Sequence, residues 1–149
     1  MEQHKKTIRV LLIGEYSRLH NSLKEGLLAM GHQVTLLGDG DAFKKYPVDI
    51  DSTPGRFGTS HPVAVFFRKL WFYVFKTDPI QWEYGRQFFR MKKHLKGFDV
   101  VQLINENAIK TTPRLEKKAI CFLRKNNKKL FLLSCGEDYY SVSHMLAHH

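Results

Sequence analysis

The chain has 149 residues, 43% of them hydrophobic and 26% charged, which fits one globular domain and excludes the disordered and fibrous classes. Lysine and arginine (24) outnumber aspartate and glutamate (14), and the resulting formal charge of +10 favours a polyanionic partner, although the surface could simply be basic. No apolar run approaches the roughly 20 residues that cross a bilayer, and the N-terminus lacks a signal-peptide cleavage site. We therefore expect a cytoplasmic protein, with peripheral attachment to the inner face of the membrane as an alternative.

The first part of the chain predicts a strand, a helix and a second strand. Residues 8–13 form a nearly continuous aliphatic run ending at Gly14, which is typical of a strand buried on both faces of a parallel sheet. Apolar residues then recur at helical spacing from residue 18, and Gly31 stands where helices commonly end. Residues 33–37 predict the next strand. This βαβ order implies a parallel pair of strands.

The middle of the chain predicts a long loop followed by two helices. Residues 41–62 are rich in Pro, Gly, Asp and Ser and show no sustained period, so they predict a loop. Residues 63–76 and 80–96 carry aromatic side chains at helical spacing, with Asp78-Pro79 between them. A residue that precedes proline disfavours helical geometry, so two separate helices are expected.

The last third predicts two more strands around a helix. Residues 99–104 and 129–134 are the strands, and between them Thr112 is a candidate N-cap with Pro113 at the first helical position. The side chains of this helix expected to face the core are Leu115, Ala119, Ile120 and Leu123. The whole pattern predicts an α/β fold: a Rossmann-like open parallel sheet of at least four strands with helices on both faces, in one domain over residues 1–149.

Ligands of open α/β sheets bind at the carboxyl ends of the strands, where the loops gather. Polar and glycine-bearing clusters follow all four predicted strands, including residues 38–41 after the second. The residues that we predict to bind a ligand are Gly14, Glu15, Tyr16, Ser17, Arg18, His20, Asn105, Glu106, Asn107, Gly136, Glu137 and Asp138.

The first of these loops opens a helix, so free backbone N–H groups, with Arg18 and His20, are candidates to hold a phosphate or a sugar hydroxyl. Asp39 lies near where the ribose-binding acid of a dinucleotide site would fall, but the loop has one glycine and lacks G-x-G-x-x-G. We therefore expect no nicotinamide cofactor. The loop acids are candidates for a general base, with solvated carboxylates as the alternative, and the base is not assigned.

Histidine and cysteine indicate no further chemistry. The eight histidines show no ligand spacing, so we predict neither a metal site nor a cofactor. Cys121 and Cys135 have no CxxC spacing and are expected to be reduced core thiols, with no role as nucleophiles.

The helix predicted at residues 63–76 is unusual in being both aromatic and basic. Such a helix can lie in a membrane interface or dock on a partner domain; the alternative is a helix buried against the sheet. The residues predicted to make a membrane or partner contact are Arg68, Lys69, Trp71, Phe72 and Lys76. Nucleic-acid binding is not expected, because the aromatic residues follow core spacing without an RNP-like or helix-turn-helix pattern.

The strand and glycine at residues 8–14 are followed by a helix that ends in Leu27-Leu28-Ala29-Met30-Gly31-His32, and then by the strand at residues 33–37. This order resembles the opening of GT-B glycosyltransferases, in which a strand, a helix and a Gly-His-x-Val segment lead into the second strand. Residues 99–105 are similar to the later strand and loop that face the interdomain cleft in that family. The resemblance covers almost the whole chain.

The resemblance implies the N-terminal, acceptor-side domain of a family 4-like glycosyltransferase of the bacterial polysaccharide-biosynthesis type. Such an enzyme transfers a hexose from a nucleotide-sugar donor to a saccharide or lipid-linked acceptor, and residues 14–18 and 105–107 would line its cleft. The donor-binding domain and the E-x7-E pattern of many members are absent from this sequence, so the chain alone is expected to be inactive. The alternative is a stand-alone Rossmann-like module that docks a partner protein or an anionic membrane surface.

Overall fold

The computed structural model describes residues 6–41, 44–58, 61–135 and 139–148. Its strands form one sheet in which every neighbouring pair is parallel. The strands are β1 (Arg9–Ile13), β2 (Gln33–Gly38), β3 (Ile50–Asp51), β4 (Val100–Ile104) and β5 (Lys129–Leu133), and their order across the sheet is β3-β2-β1-β4-β5. The prediction of an open parallel α/β sheet is confirmed.

The helices of the described residues are α1 (Leu19–Ala29), α2 (Pro62–Phe75), α3 (Pro79–Met91), α4 (Pro113–Asn126) and α5 (Tyr139–His148). A proline begins α2, α3 and α4, and the preceding residue is extended in each case. Proline suits the first helical position because its fixed φ is helical and its missing N–H has no partner there. None of the described helices is long and apolar enough to cross a membrane.

Both faces of the sheet carry helices, which explains why β1 is apolar throughout. Leu11 and Ile13 point to one face, in a cluster that includes Phe88 of α3 and Leu123 of α4. Val10 and Leu12 point to the other face, where Leu27 of α1 packs against them. A strand with helices on both sides buries successive residues on opposite faces, so it reads as a continuous aliphatic run.

The sequence predicted the helices better than it predicted their ends and faces. On α4, the predicted core positions are confirmed: Ala119 and Leu123 are fully buried, and Leu115 and Ile120 are half-buried. On α1, the regularly spaced Leu19 is 43% exposed, whereas His20 is fully buried. The predicted helix at residues 80–96 ends as an α-helix at Met91 and continues as a 3-10 turn over Lys92–His94.

Three further features differ from the sequence predictions. β3 lies within the predicted loop; with two residues it is too short to show a period. α5 was not predicted at all. Cys121 is exposed on α4 and Cys135 is half-buried just after β5, so the prediction of two core thiols is wrong. Cys121 lies on the outward face of an amphipathic helix, where a small thiol needs no burial.

Candidate functional site

The carboxyl ends of the central strands pack too closely for a side chain at Gly14. This residue has φ of 84°, and a Cβ atom there would lie 2.6 Å from Cγ2 of Ile104 and 3.2 Å from the carbonyl oxygen of Ala108. Its N–H donates to the carbonyl oxygen of Leu37 at 2.8 Å. The single glycine after β1 is therefore explained by backbone geometry and close approach, without any ligand.

Next to this glycine, a buried carboxylate collects partners from two other parts of the fold. The side chain of Asp39, just after β2, is 5% exposed. Its Oδ2 atom accepts a hydrogen bond from the Tyr84 hydroxyl of α3 at 2.7 Å and from Lys110 Nζ at 2.6 Å. Its Oδ1 atom is buried and has no hydrogen-bond partner among the described residues. A buried acceptor without a partner costs free energy, and such groups mark sites that a ligand or water completes.

The surroundings keep this carboxylate ionised. Burial disfavours its charge, but hydrogen bonds from Lys110 and Tyr84 outweigh burial and hold the pKa of Asp39 below its usual value. Burial and the neighbouring carboxylate raise the pKa of Tyr84, so its hydroxyl stays protonated and donates. Asp39 is thus an acceptor with one free oxygen and a poor proton acceptor at neutral pH.

Two cavities meet at this carboxylate. The larger has a volume of about 620 Å³ and is lined by Asp39, Tyr46, Asp51, Thr53 and Tyr84 among others. The smaller, about 10 Å³, is enclosed by residues that include Gly14, Asp39, Tyr84 and Lys110. A space of several hundred Å³ with few convergent polar groups is typical of small-molecule sites. We take this cluster, Asp39 with Tyr84 and Lys110, as the candidate site.

The loop that carries Lys110 is fixed by a second buried carboxylate, Glu116 on the first turn of α4. Its oxygens accept from the N–H groups of Ile109 at 3.1 Å and Thr111 at 3.4 Å. Burial raises the pKa of Glu116. Because its partners flank Lys110, which itself has φ of 60°, Glu116 holds the unusual backbone that aims the lysine at Asp39.

The backbone N–H groups at the start of α1, which were candidates to hold a phosphate or a sugar hydroxyl, already donate to a carboxylate of the chain itself. Glu15 is buried, and its carboxylate accepts from the N–H groups of Tyr16 at 2.8 Å, His20 at 3.2 Å and Asn21 at 2.9 Å. A carboxylate at a helix N-terminus neutralises the free N–H groups that would otherwise bind an anion. The expectation of a phosphate contact through these N–H groups is therefore wrong, and Glu15 has a structural position.

His20 likewise belongs to the interior. Its Nδ1 atom lies 2.7 Å from the carbonyl oxygen of Gly14, and Nε2 lies 3.4 Å from the Gln102 amide nitrogen of β4. A carbonyl oxygen only accepts, so Nδ1 carries the proton and Nε2 is free to accept from the amide. Burial lowers the pKa of His20 despite the hydrogen bond to Gly14. The ring is a neutral link between α1 and the sheet.

The remaining residues of the first loop lie at the surface. Tyr16, Ser17 and Arg18 are exposed, and Arg18 pairs with Glu25 at 2.8 Å. The Ser17 N–H donates to Asp41 Oδ2 at 2.9 Å, which ties the loop after β1 to the loop after β2. Contact of these residues with a ligand stays a prediction.

The predicted residues after β4 and β5 include one that holds the strands together, two that are exposed and three that lie outside the described residues. Asn105 donates its N–H to the Leu133 carbonyl at 2.8 Å and accepts from the Cys135 N–H at 2.8 Å, so it fastens the ends of β4 and β5 together. Glu106 and Asn107 are exposed and line a separate cavity of about 570 Å³ beside α4. Gly136, Glu137 and Asp138 lie outside the described residues.

The aromatic helix α2 has no buried residue, so it is not the buried helix that was one alternative. Of its five predicted contact residues, Lys69, Trp71, Phe72 and the C-cap Lys76 are exposed. Arg68 is instead held by Asp78, with Nε 2.9 Å from both carboxylate oxygens. Asp78 also accepts from the Ile80 N–H at the start of α3, so this pair joins the two helices.

Sequence reasoning reached part of the candidate site. The rule that ligands bind at strand ends selected residues 38–41, and Asp39 was noted there. Tyr84 and Lys110 were missed, because each lies far along the chain from Asp39 and neither stands in a motif. In the described parts of the chain, no group of three His, Cys, Asp or Glu side chains is placed to hold a metal ion.

Comparison with protein-family models, with curated proteins and with solved structures gives no match to this chain. The class that the fold and site define is a Rossmann-like α/β domain with a buried acidic site at the carboxyl edge of its sheet.

Proposed function

We propose that this chain is the acceptor-binding half of a glycosyltransferase, and that Asp39 accepts a hydrogen bond from a hydroxyl of the acceptor saccharide. The complete enzyme would transfer a hexose from a nucleotide-sugar donor, bound by a second domain, to a saccharide or lipid-linked acceptor. The Asp39 carboxylate, which Tyr84 and Lys110 hold in place beside a cavity of about 620 Å³ that Asp39 helps to line, is the observation that carries the proposal. The resemblance of residues 8–37 to the opening of GT-B enzymes supports it.

The chemistry of the cluster suits a sugar hydroxyl. An ionised carboxylate only accepts, so its free oxygen needs a donor, and every sugar hydroxyl can donate one hydrogen bond. The side-chain ammonium of Lys110 has three N–H donors, one of which it gives to Asp39. Adjacent hydroxyls of one ring could therefore donate to Asp39 and accept from Lys110. A charged partner makes such a bond roughly twice as strong as a neutral one.

The cluster binds and orients rather than reacts. The lowered pKa of Asp39 makes it a poor general base at neutral pH, so we assign it no proton transfer. Its contribution would be to fix the acceptor ring near the strand ends while the donor domain supplies the reacting sugar. Holding two reactants in register can itself lower the barrier by several kcal/mol, up to roughly 7–11.

Saturation-transfer NMR with glucose, galactose, N-acetylglucosamine and maltose tests the proposal on this chain. We expect binding of at least one sugar, weakened about tenfold in Asp39→Asn, since one charge-assisted hydrogen bond is lost. Asp99→Asn is the matched control, because Asp99 pairs with Lys128 at the opposite edge of the sheet. No binding, or equal binding by Asp39→Asn and the wild type, would overturn the assignment.

A second candidate function is a stand-alone module that docks on a partner or an anionic membrane. The exposure of nine large apolar side chains of α2 favours it, because single domains rarely leave so large an apolar patch in water. This candidate needs no sugar site, so a chain that binds membranes or a partner but no saccharide would support it over the first.

A further inference from the structure

The exposed apolar surface of α2 runs around the whole helix. Its last four residues are all exposed, from 55% for Phe72 to 75% for Tyr73. Successive helical residues are about 100° apart, so four consecutive side chains point in all directions. A protein partner that covered one face would leave the others in water, whereas a membrane interface surrounds the helix on several sides.

Two cavities lie side by side under this helix and share Phe57 and Trp71. The first, about 510 Å³, combines aromatic side chains with Arg56, Arg86 and Arg90. The second, about 530 Å³, is lined entirely by apolar side chains, namely Phe57, Ala64, Phe67, Leu70, Trp71, Val74 and Phe75. A basic aromatic cavity that adjoins an apolar groove is complementary to an amphiphile, with the first matching a charged head and the second a hydrocarbon chain.

The arginines of the first cavity have no ion-pair partner among the described residues. On α3, Trp82, Arg86 and Arg90 follow at intervals of four, which places them on one face, while Phe88 of the opposite face is buried in the core. Glu83 brings one negative charge to the same cavity but forms no ion pair with the arginines; its two oxygens accept from the N–H groups of Arg56 at 2.7 Å and Phe57 at 2.8 Å.

The two hydrogen bonds of Glu83 also determine where Arg56 lies. Glu83 holds the backbone of residues 56–57 against α3, so Arg56 faces the two arginines of that helix across the cavity. Arg68 is one of the three basic residues predicted to make this contact, but its pairing with Asp78 occupies it. The basic groups available to an anion are therefore the arginines of the cavity, together with the exposed Lys69 and Lys76 of α2.

We propose that α2 lies in the interface of an anionic membrane and that the two cavities hold one phospholipid from it. The lipid phosphate would sit among Arg56, Arg86 and Arg90, and an acyl chain would follow the groove along Leu70 and Val74. Arginine forks match phosphate oxygens, and the formal charge of +10 attracts an anionic surface. The lipid site rests on the membrane-docking part of the proposed function and does not require sugar transfer.

Two other occupants of α2 fit less well. A second copy of the chain would bring the same +10 charge and the same arginines to the interface, where like charges repel. A helix of 14 residues is about 21 Å long, short of the roughly 30 Å of a bilayer core, so α2 would lie in the interface without crossing.

Intrinsic tryptophan fluorescence reports on this site, because both tryptophans of the chain, Trp71 and Trp82, line the first cavity. Vesicles of phosphatidylcholine alone and of an equimolar mixture with phosphatidylglycerol are titrated into the protein. We expect a blue shift with the anionic vesicles only, and quenching when the phosphatidylglycerol carries brominated acyl chains. Emission that does not change, or that changes equally with both vesicles, would refute an anionic lipid site.

Paired variants separate the site from general charge. Arg86→Gln with Arg90→Gln should weaken binding to anionic vesicles about 30-fold, as expected for two basic groups near the surface. Arg124→Gln with Lys125→Gln removes the same charge from the far end of α4 and should bind like the wild type. Equal losses in both pairs, or no loss in the first, would contradict the proposal.

Two further measurements separate loss of lipid binding from misfolding and from self-association. Arg56→Gln tests the same cavity from a loop, in case the substitutions on α3 impair folding, which circular dichroism would reveal. Sedimentation without vesicles detects self-association through α2, and a dimer that shields both tryptophans would overturn the proposal in favour of a second copy. Asp39→Asn should keep full vesicle binding, so a failure at the sugar site and a failure at the lipid site are distinguishable.

Discussion

Nζ of Lys110 lies 2.6 Å from Oδ2 of Asp39, although 71 residues separate the two along the chain. The Tyr84 hydroxyl reaches the same oxygen at 2.7 Å, so β2, α3 and the loop after β4 converge on one atom. The partnered oxygen fixes the carboxylate in place, and the other oxygen is buried without a hydrogen-bond partner among the described residues. This asymmetry is what distinguishes Asp39 from the exposed acids of the surface.

The pKa of Asp39 should depend on Lys110. In Lys110→Met the strongest charged partner is lost while burial remains, so we expect the pKa of the Asp39 carboxyl to rise. Carboxyl ¹³C NMR titration of the wild type and the variant measures the change. Lys128→Met, which removes the partner of Asp99, should leave Asp39 unaffected. An Asp39 pKa that is the same in wild type and Lys110→Met would show that the lysine does not hold the charge.

Glu15 should matter for stability rather than for ligand binding. Glu15→Ala leaves the N–H groups of Tyr16, His20 and Asn21 without their acceptor, and we expect a loss of about 3 kcal/mol in the free energy of unfolding. Urea denaturation measures it. Glu25→Ala, which removes only the exposed partner of Arg18, is the control and should change little. A fold as stable as the wild type after Glu15→Ala would restore the loop as a candidate anion site.

The sequence predicted the sheet because hydrophobic periodicity and glycine or proline positions are local. The aliphatic run of β1 and the proline that begins α4 need only a few neighbouring residues to be recognised. The same local reasoning made the start of α1 a candidate to hold a phosphate or a sugar hydroxyl, since a helix N-terminus after a strand binds anions in many folds. It could not foresee that Glu15 turns inward and fills that position.

The site itself depends on contacts that no local pattern records. Asp39 was selected by its place at a strand end, but the hydrogen bonds that make it a candidate site come from Tyr84 and Lys110, which the tertiary fold brings to it. The same holds for α2: its aromatic spacing indicated a helix equally compatible with burial and with exposure. Only the packing of α3 against the sheet shows that α2 lies outside the core.

His20 should make stability depend on pH near neutrality. Burial lowers the pKa of His20 in the fold, so the unfolded chain binds a proton more readily at this residue. Its contribution to stability is complete above the unfolded pKa of about 6.5 and is lost as the pH falls below that value towards the folded pKa. Urea denaturation of wild type and His20→Gln at pH 7.5 and pH 5.5, chosen as about one unit either side of that value, should show a larger loss in the wild type. Equal losses would mean that the ring is protonated as easily in the fold as in water.

Two helical glycines offer a stability test with opposite expected signs. A Cβ at Gly85 of α3 would lie 2.5 Å from Thr111 Oγ1 and 2.8 Å from Leu115 Cδ1, so Gly85→Ala should force α3 away from α4 and cost about 1–3 kcal/mol. A Cβ at Gly26 of α1 would meet nothing within 4 Å, so Gly26→Ala should stabilise the fold by up to about 1 kcal/mol.

Thermal and urea unfolding of these two variants measure both effects in one experiment. Because the Thr111 hydroxyl donates to the Gln81 carbonyl of α3 at 2.7 Å, the Gly85 substitution also disturbs the loop that carries Lys110. We therefore expect Gly85→Ala to weaken saccharide binding at Asp39 as well as stability, whereas Gly26→Ala should leave binding unchanged. Saccharide binding that survives in a destabilised Gly85→Ala protein would show that the contact between α3 and this loop does not position the lysine.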